Sequence, residues 1–126
     1  MNILVVDDDP IVLASCKRVL ETEGYAVFTA SSVPEAVTAL AEREYVLLLA
    51  DIKMPEYDGY HLLGSVKKEH PSLPVIVMSG FPTGEIVSAS LAGGALSFVP
   101  KPFTPEELLE AVRAAIRTSP GRGGEK

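Results

Sequence analysis

The sequence predicts an α/β domain, a parallel sheet covered by helices on both faces, and three observations carry the prediction. Five short apolar runs rich in β-branched residues alternate with segments of helical period. The loops between them are short, so the alternation builds successive β-α units in one sheet. The apolar runs are also continuous rather than alternating, the pattern of strands buried on both sides. At 126 residues, 47% hydrophobic and 22% charged, the chain has the size and composition of one folded domain.

The first strand is NILVV (2–6). Behind it Asp9 is a helix N-cap with Pro10 at the first position. Val12, Leu13, Cys16, Val19 and Leu20 then recur at helical spacing until Gly24 stops a helix predicted over 10–23. YAVFTA (25–30) is the second strand, and Ser32 with Glu35 forms a capping box for a helix over 33–43. YVLLLA (45–50) is the third strand. The third helix, over 59–69, turns Leu62, Leu63 and Val66 inward and ends before Pro71. PVIVMS (74–79) is the fourth strand. The helix after it, over 83–92, carries Gly84, Val87, Ser88 and Ser90 where a stable surface helix carries Leu, Lys or Glu, so low local stability is expected. LSFV (96–99) is the last strand. Thr104-Pro105-Glu106-Glu107 is a second capping box, opening a helix over 105–117 with Leu108, Leu109, Val112 and Ile116 as its apolar stripe. The tail SPGRGGEK has no apolar residue to bury, so 119–126 reads as a disordered end or linker stub behind a domain of 1–118.

No apolar run reaches the roughly 18 residues that span a bilayer, and MNILVVDDD lacks the basic start and long apolar segment of a signal peptide. A cytoplasmic protein without a membrane partner is expected. The single cysteine, Cys16, sits among apolar residues and reads as a small buried hydrophobe. A net charge of −6 argues against direct nucleic-acid binding by this domain and favours a protein partner or a cation.

In open α/β sheets ligands bind outside the carboxyl ends of the strands. Asp7 and Asp8 follow the first strand, Asp51 the third, Ser79 ends the fourth, and Lys101 comes shortly after the fifth. Taken singly, each has an ordinary reading: Asp8 or Asp9 as an N-cap, Ser79 as a strand-end hydroxyl, Lys101 as a solvated charge. Together they place acids, hydroxyl and amine at one sheet edge, which independent structural roles do not explain. Three carboxylates about 5 Å apart repel by about 3 kcal/mol per pair at an effective dielectric of about 20. Lys101 neutralises one charge, and a compact all-oxygen cluster on rigid strand ends suits Mg2+. With a metal neutralising it, Asp51 can act as a nucleophile toward a phosphoryl group and form an aspartyl phosphate, by positioning and charge neutralisation.

The motifs ILVVDDDP, ADIKMPEYDG, VIVMSG and FVPKPF, in this order and spacing, resemble the response-regulator receiver domains of two-component signalling over residues 1–118. The resemblance implies a flavodoxin-like doubly wound (βα)5 fold with strand order 2-1-3-4-5. It implies phosphotransfer to Asp51 from a sensor histidine kinase or phosphotransfer protein, with Mg2+ held by Asp8 and Asp51 directly, by the carbonyl of Lys53, and by Asp7 largely through water. Ser79 and Lys101 are then the phosphoryl-sensing pair, Phe98 the aromatic rotamer switch, and Lys101-Pro102 a cis peptide. Lys53 and Phe81 occupy positions that tune phosphoryl lifetime, and here a bulky Phe81 and a cationic Lys53 are expected to slow autodephosphorylation. The output is a changed surface on the fourth helix, fifth strand and fifth helix, offered to an unidentified effector or to a second copy as a phosphorylation-dependent homodimer.

Several residues depart from the family pattern. Glu56 and Tyr57 replace small and methionine residues, leaving Asp58-Gly59 as the turn into the third helix, and Pro100 stiffens the loop that carries Lys101. The fourth helix has only Glu85 as a charge, which argues against the paired-charge dimer of one large regulator subfamily. Phe98 reads as plain core when the resemblance is set aside. Tyr57 and Tyr60 either gate the acidic pocket or cover the third helix. His61 and His70 have no second His or Cys at ligand spacing and read as solvated or capping residues. A phosphohydrolase would carry a second carboxylate where Lys53 stands. An α/β hydrolase fails because no glycine stands two residues before Ser79, and a dinucleotide-binding domain fails for lack of G-x-G-x-x-G after the first strand. A degenerate receiver, acting only as a protein-binding module, has no need of Asp7, Asp8, Asp51, Ser79 and Lys101 together.

Overall fold

The structure, a computed structural model, describes residues 1–53, 59–80 and 83–117. The readings made for Glu56, Tyr57, Asp58, Phe81 and the tail lie outside the described residues. Ten elements alternate: β1 (Asn2–Val6), α1 (Pro10–Glu21), β2 (Ala26–Ala30), α2 (Val33–Glu42), β3 (Leu47–Asp51), α3 (Gly59–Glu69), β4 (Val75–Ser79), α4 (Gly84–Ala92), β5 (Ser97–Pro100) and α5 (Pro105–Arg117). All strand pairings are parallel, and the order across the sheet is β2-β1-β3-β4-β5, as the family resemblance implied.

Successive strand residues point to opposite faces, and both faces are covered. On one side Ile3, Val5, Leu47, Leu49, Ile76 and Met78 pack against Cys16 and Leu20 of α1 and Leu108, Val112 and Ala115 of α5. On the other, Leu4, Val6, Leu48, Ala50, Val75 and Val77 pack against Val33, Ala36 and Leu40 of α2 and Leu62, Leu63 and Val66 of α3. Val112 and Leu108 are the inward stripe expected of α5, and Ala115 joins them while Ile116 is only half-buried.

The caps form as their residue types dictate. Asp9 accepts from the Ile11 N–H, Ser32 accepts from the Glu35 N–H, and Thr104 accepts from the Glu107 N–H while Glu107 accepts back from Thr104. Gly24 stands at φ +92°, the left-handed conformation that glycine adopts most easily, just past the end of α1. A second glycine at positive φ, Gly94 at +110°, turns the chain from α4 into β5. A Cβ there would push the stem of Lys67 on α3 aside, and the positive φ by itself favours glycine.

α4 is the thinly packed helix that its composition predicts. Its one buried residue is Ser90, whose hydroxyl donates to the Ile86 carbonyl at 2.7 Å, and Leu91 lies 46% exposed. Thr83, expected as its first residue, is instead its N-cap, accepting from the Ile86 N–H, so the helix starts one residue later at Gly84. Among the described residues no helix is long and apolar enough to cross a membrane.

Candidate functional site

Strand alternation decides which side chains meet at the carboxyl edge of the sheet. Ile3 and Val5 face the α1/α5 side, so Asp7 continues that side, and Leu47 and Leu49 do the same for Asp51. The sequence reading placed Asp51 just after β3. The structure instead makes it the last strand residue, in register with Met78, which gives the carboxylate the rigidity of the sheet. Asp7 is fully buried, Asp51 is 5% exposed, and Asp8 is open to solvent. One oxygen from each of the three lies within 4.8 Å of the other two.

Lys101 reaches into this cluster from the loop after β5. Its Nζ donates to Asp7 Oδ2 at 2.7 Å and stands 3.7 Å from Asp51 Oδ2. The Lys101-Pro102 peptide is cis, and the Lys101 backbone N–H donates to the Ser79 carbonyl at 2.8 Å, tying the lysine loop to the end of β4. The other oxygen of Asp7 accepts from the Asp9 N–H at 2.9 Å, whereas Asp51 Oδ1 has the longer contact of 3.4 Å with the Lys53 N–H. Asp7 is therefore held tightly on both oxygens, and of the two buried carboxylates Asp51 is the one whose oxygens an incoming group can take at lower cost. Asp9 entered the sequence reading as an N-cap alone. Its second service, a backbone donor that orients Asp7, is signalled by the D-x-D-P spacing.

The electrostatics follow from burial. Burial, then the charge of Asp7, pushes the Asp51 carboxyl above its ordinary range, and Lys101 opposes only part of this. For Lys101, burial pulls the ammonium down, but the hydrogen bond to Asp7 and the charges of Asp51 and Asp7 outweigh it and leave the amine above its ordinary value. It stays protonated at neutral pH. Burial, with a smaller push from Asp7, raises the Cys16 thiol to about 11, so it is an inert buried group as expected.

Ser79 and Phe98 occupy the opposite side of the sheet. Phe98 is in register with Val77, two residues before Ser79, so both project toward the α4 side. Ser79 is buried and Phe98 half-buried against the α2/α3 core. Tyr60, at the start of α3, packs against the α2/α3 core and its hydroxyl donates to the Ile86 carbonyl of α4 at 3.5 Å, linking α3 to α4. His61 is exposed and His70 half-exposed, and neither belongs to the one cluster of potential metal ligands among the described residues, Asp7, Asp8 and Asp51.

A five-stranded doubly wound parallel sheet, with buried carboxylates and a lysine at its carboxyl edge, defines a flavodoxin-like α/β protein built to hold charged groups at its switch point. Residues 3–113 match the response regulator receiver domain, and the chain belongs to that family. It is 35% identical over 119 residues to the nitrogen assimilation regulatory protein NtrX of Azorhizobium caulinodans, covering 93% of this chain and 26% of that protein. It is 36% identical over 124 residues to the response regulator MprA of a Mycobacterium species, covering 98% of this chain and 54% of that protein. The chain thus spans about a quarter and about half of these two relatives. Among solved structures, a CheY-like receiver domain protein from Methanospirillum hungatei superposes with a TM-score of 0.89 at 35% identity, covering 94% of each chain. The receiver domain of NtrX from Brucella abortus gives 0.88 at 34% identity, covering 93% of this chain and 99% of that one.

Proposed function

We propose that this receiver domain accepts a phosphoryl group on Asp51 from a phosphohistidine of a sensor histidine kinase or phosphotransfer protein, with Mg2+ as cofactor, and that phosphorylation resets its α4-β5-α5 surface. The observation that carries the reading is the three-carboxylate cluster with Lys101 2.7 Å from Asp7 and 3.7 Å from Asp51. An all-oxygen set on two strand ends, whose three acids outnumber the charge of Lys101, fits a hard divalent cation. Asp8, Asp51 and the Lys53 carbonyl would hold it, with Asp7 behind them. When bound, Mg2+ supplies the positive charge that lets an anionic donor approach the acids and neutralises the phosphoryl oxygens.

Asp51 attacks phosphorus with one carboxylate oxygen; the P–N bond to the donor imidazole breaks, and its electron pair stays on the departing nitrogen. Protonated Lys101 pairs with a phosphoryl oxygen, trading part of its hold on Asp7. Roughly two negative charges then sit at the end of β3, and the Ser79 hydroxyl moves inward to donate to them. Phe98, on the same side of the sheet, fills the space that Ser79 leaves. α4, with one buried residue, follows because little packing holds it. Lys53 and Phe81, at the sequence positions that tune phosphoryl lifetime, slow attack by water, so the domain catalyses its own dephosphorylation slowly.

By this reading residues 1–118 are the receiver unit, with 119–126 as tail or linker stub, working in the cytoplasm toward an effector that the switched face selects. Incubation of the chain with Mg2+ and a small acyl phosphate, followed by intact mass, tests it. A gain of one phosphoryl mass that requires Mg2+ supports the reading, and no gain refutes it.

A further inference from the structure

β5 is the edge strand of the sheet, and between it and α5 lies an open cleft of about 380 Å³ lined by Phe98, Val99, Pro100, Glu107, Glu110 and Ala111. Its floor is apolar and its α5 rim is anionic. The charges around it are one-sided: Glu106 adds to Glu107 and Glu110 on α5, and the only charge of α4 is Glu85. Lys101 is bonded to Asp7 at 2.7 Å, and Arg113 is bonded to Glu23 at 2.9 Å while also feeling the charge of Glu110, which it offsets only in part. Arg117 lies seven residues beyond Glu110, about 10 Å along the helix axis. Leu91 and Leu96 on the neighbouring α4 and its exit turn are 46% and 41% exposed, so the apolar character extends past the cleft.

A second copy is a poor occupant. A two-fold interface pairs this face with itself, so the acidic rim of Glu107 and Glu110 would meet an equally acidic surface, with no lysine or arginine on α4 to answer it. We propose instead that the cleft docks a partner segment carrying one aliphatic side chain flanked by lysine or arginine. The aliphatic group enters between Phe98, Pro100 and Ala111, and the cations meet Glu107 and Glu110. Such a partner gains steering from the net charge of −6 as well as contact energy. This names the partner chemistry of the switched face and rests on the receiver reading above.

The test uses three short peptides on the whole 15N-labelled chain: one with leucine flanked by lysines, one with those lysines changed to glutamine, and one with the leucine changed to serine. Titrations are run with and without Mg2+ and acyl phosphate. The proposal expects amide shifts concentrated at Phe98, Val99, Glu107, Glu110 and Ala111 with the first peptide, and clearly weaker binding of the other two. The double variant Glu107→Gln/Glu110→Gln keeps an acceptor for the Thr104 N–H and so keeps the α5 cap. It should bind the first peptide about three- to tenfold more weakly, the loss expected for two exposed charge pairs. Shifts centred on the acidic pocket, unchanged affinity in the double variant, or a two-fold dimer through this face in sedimentation would overturn the proposal. Phosphoryl uptake, measured by intact mass without peptide, reads the receiver function separately: its loss sinks that reading, while its persistence beside absent cleft binding sinks only the proposal.

Discussion

Replacing Asp51 with asparagine should make this domain more stable, because the carboxylate is held where its charge is unwelcome. At an effective dielectric of about 20, the Asp51–Lys101 pair at 3.7 Å attracts by about 4–5 kcal/mol, and Asp7, within 4.8 Å, repels by about 3–4 kcal/mol. Asp8 adds a smaller repulsion because solvent screens it, and Asp51 also lacks most of its hydration at 5% exposure. The repulsions and lost hydration together outweigh the single attraction, the direction in which the carboxyl group is displaced. Asp51→Asn removes this cost and leaves Lys101 bonded to Asp7. The expected midpoint of thermal unfolding, without divalent cation, rises by a few degrees, the scale of shift that about 1 kcal/mol produces in a domain of this size. A cation that binds only the folded state adds about 1.4 kcal/mol at tenfold excess over its dissociation constant, so Mg2+ should raise the wild-type midpoint and move the variant much less. Calorimetry of both proteins with and without Mg2+ decides it. A variant less stable than wild type, or an equal Mg2+ response in both, would refute the electrostatic account of the pocket.

Three further outcomes are expected. The Tyr45 hydroxyl is buried without a hydrogen-bond partner while its ring meets Phe28 edge-on at 5.9 Å, so Tyr45→Phe should keep the ring contact and be neutral or stabilising by up to about 1 kcal/mol in urea unfolding. Glu35 is held below its ordinary value of 4.5 by the backbone and hydroxyl donors of Ser31, so its contribution is complete above that value and is lost as pH falls through the lowered one. The stability gap between wild type and Glu35→Gln should accordingly shrink on acidification below 4.5 and be flat above it. Lys53→Ala should shorten the lifetime of the phosphorylated domain in a decay assay by a few-fold, on the order of 1 kcal/mol in the barrier; an unchanged decay would remove Lys53 from the lifetime argument.

Much of this arrangement is legible in the sequence because local chemistry and burial agree. Continuous apolar strands demanded cover on both faces, and Asp9, Ser32 and Thr104 announced their helices by caps that all form. Where the reading slipped, the deciding force was not local. β3 begins at Leu47 rather than Tyr45 because pairing with β1 starts at Ile3↔Leu47, and it keeps Asp51 because β4 continues alongside as far as Met78 and beyond. Thr83 does not stand out as a cap in the sequence because α4 has no apolar stripe to mark where its helix starts. At the site, the residues were visible at the strand ends but their partners were not. Which acid takes Lys101 depends on a lysine 94 positions away closing on Asp7, and only the folded loop beyond β5 determines that.

The claim on which the rest depends is that Asp51, and no neighbouring acid, carries the phosphoryl group. Borohydride reduces an aspartyl phosphate to homoserine, so phosphorylation with Mg2+ and acyl phosphate, reduction and peptide mass mapping will report the modified position directly. The account predicts homoserine at position 51 and unmodified Asp7, Asp8 and Asp9. Homoserine at any of those three, or a phosphoryl group retained by Asp51→Asn, would contradict it.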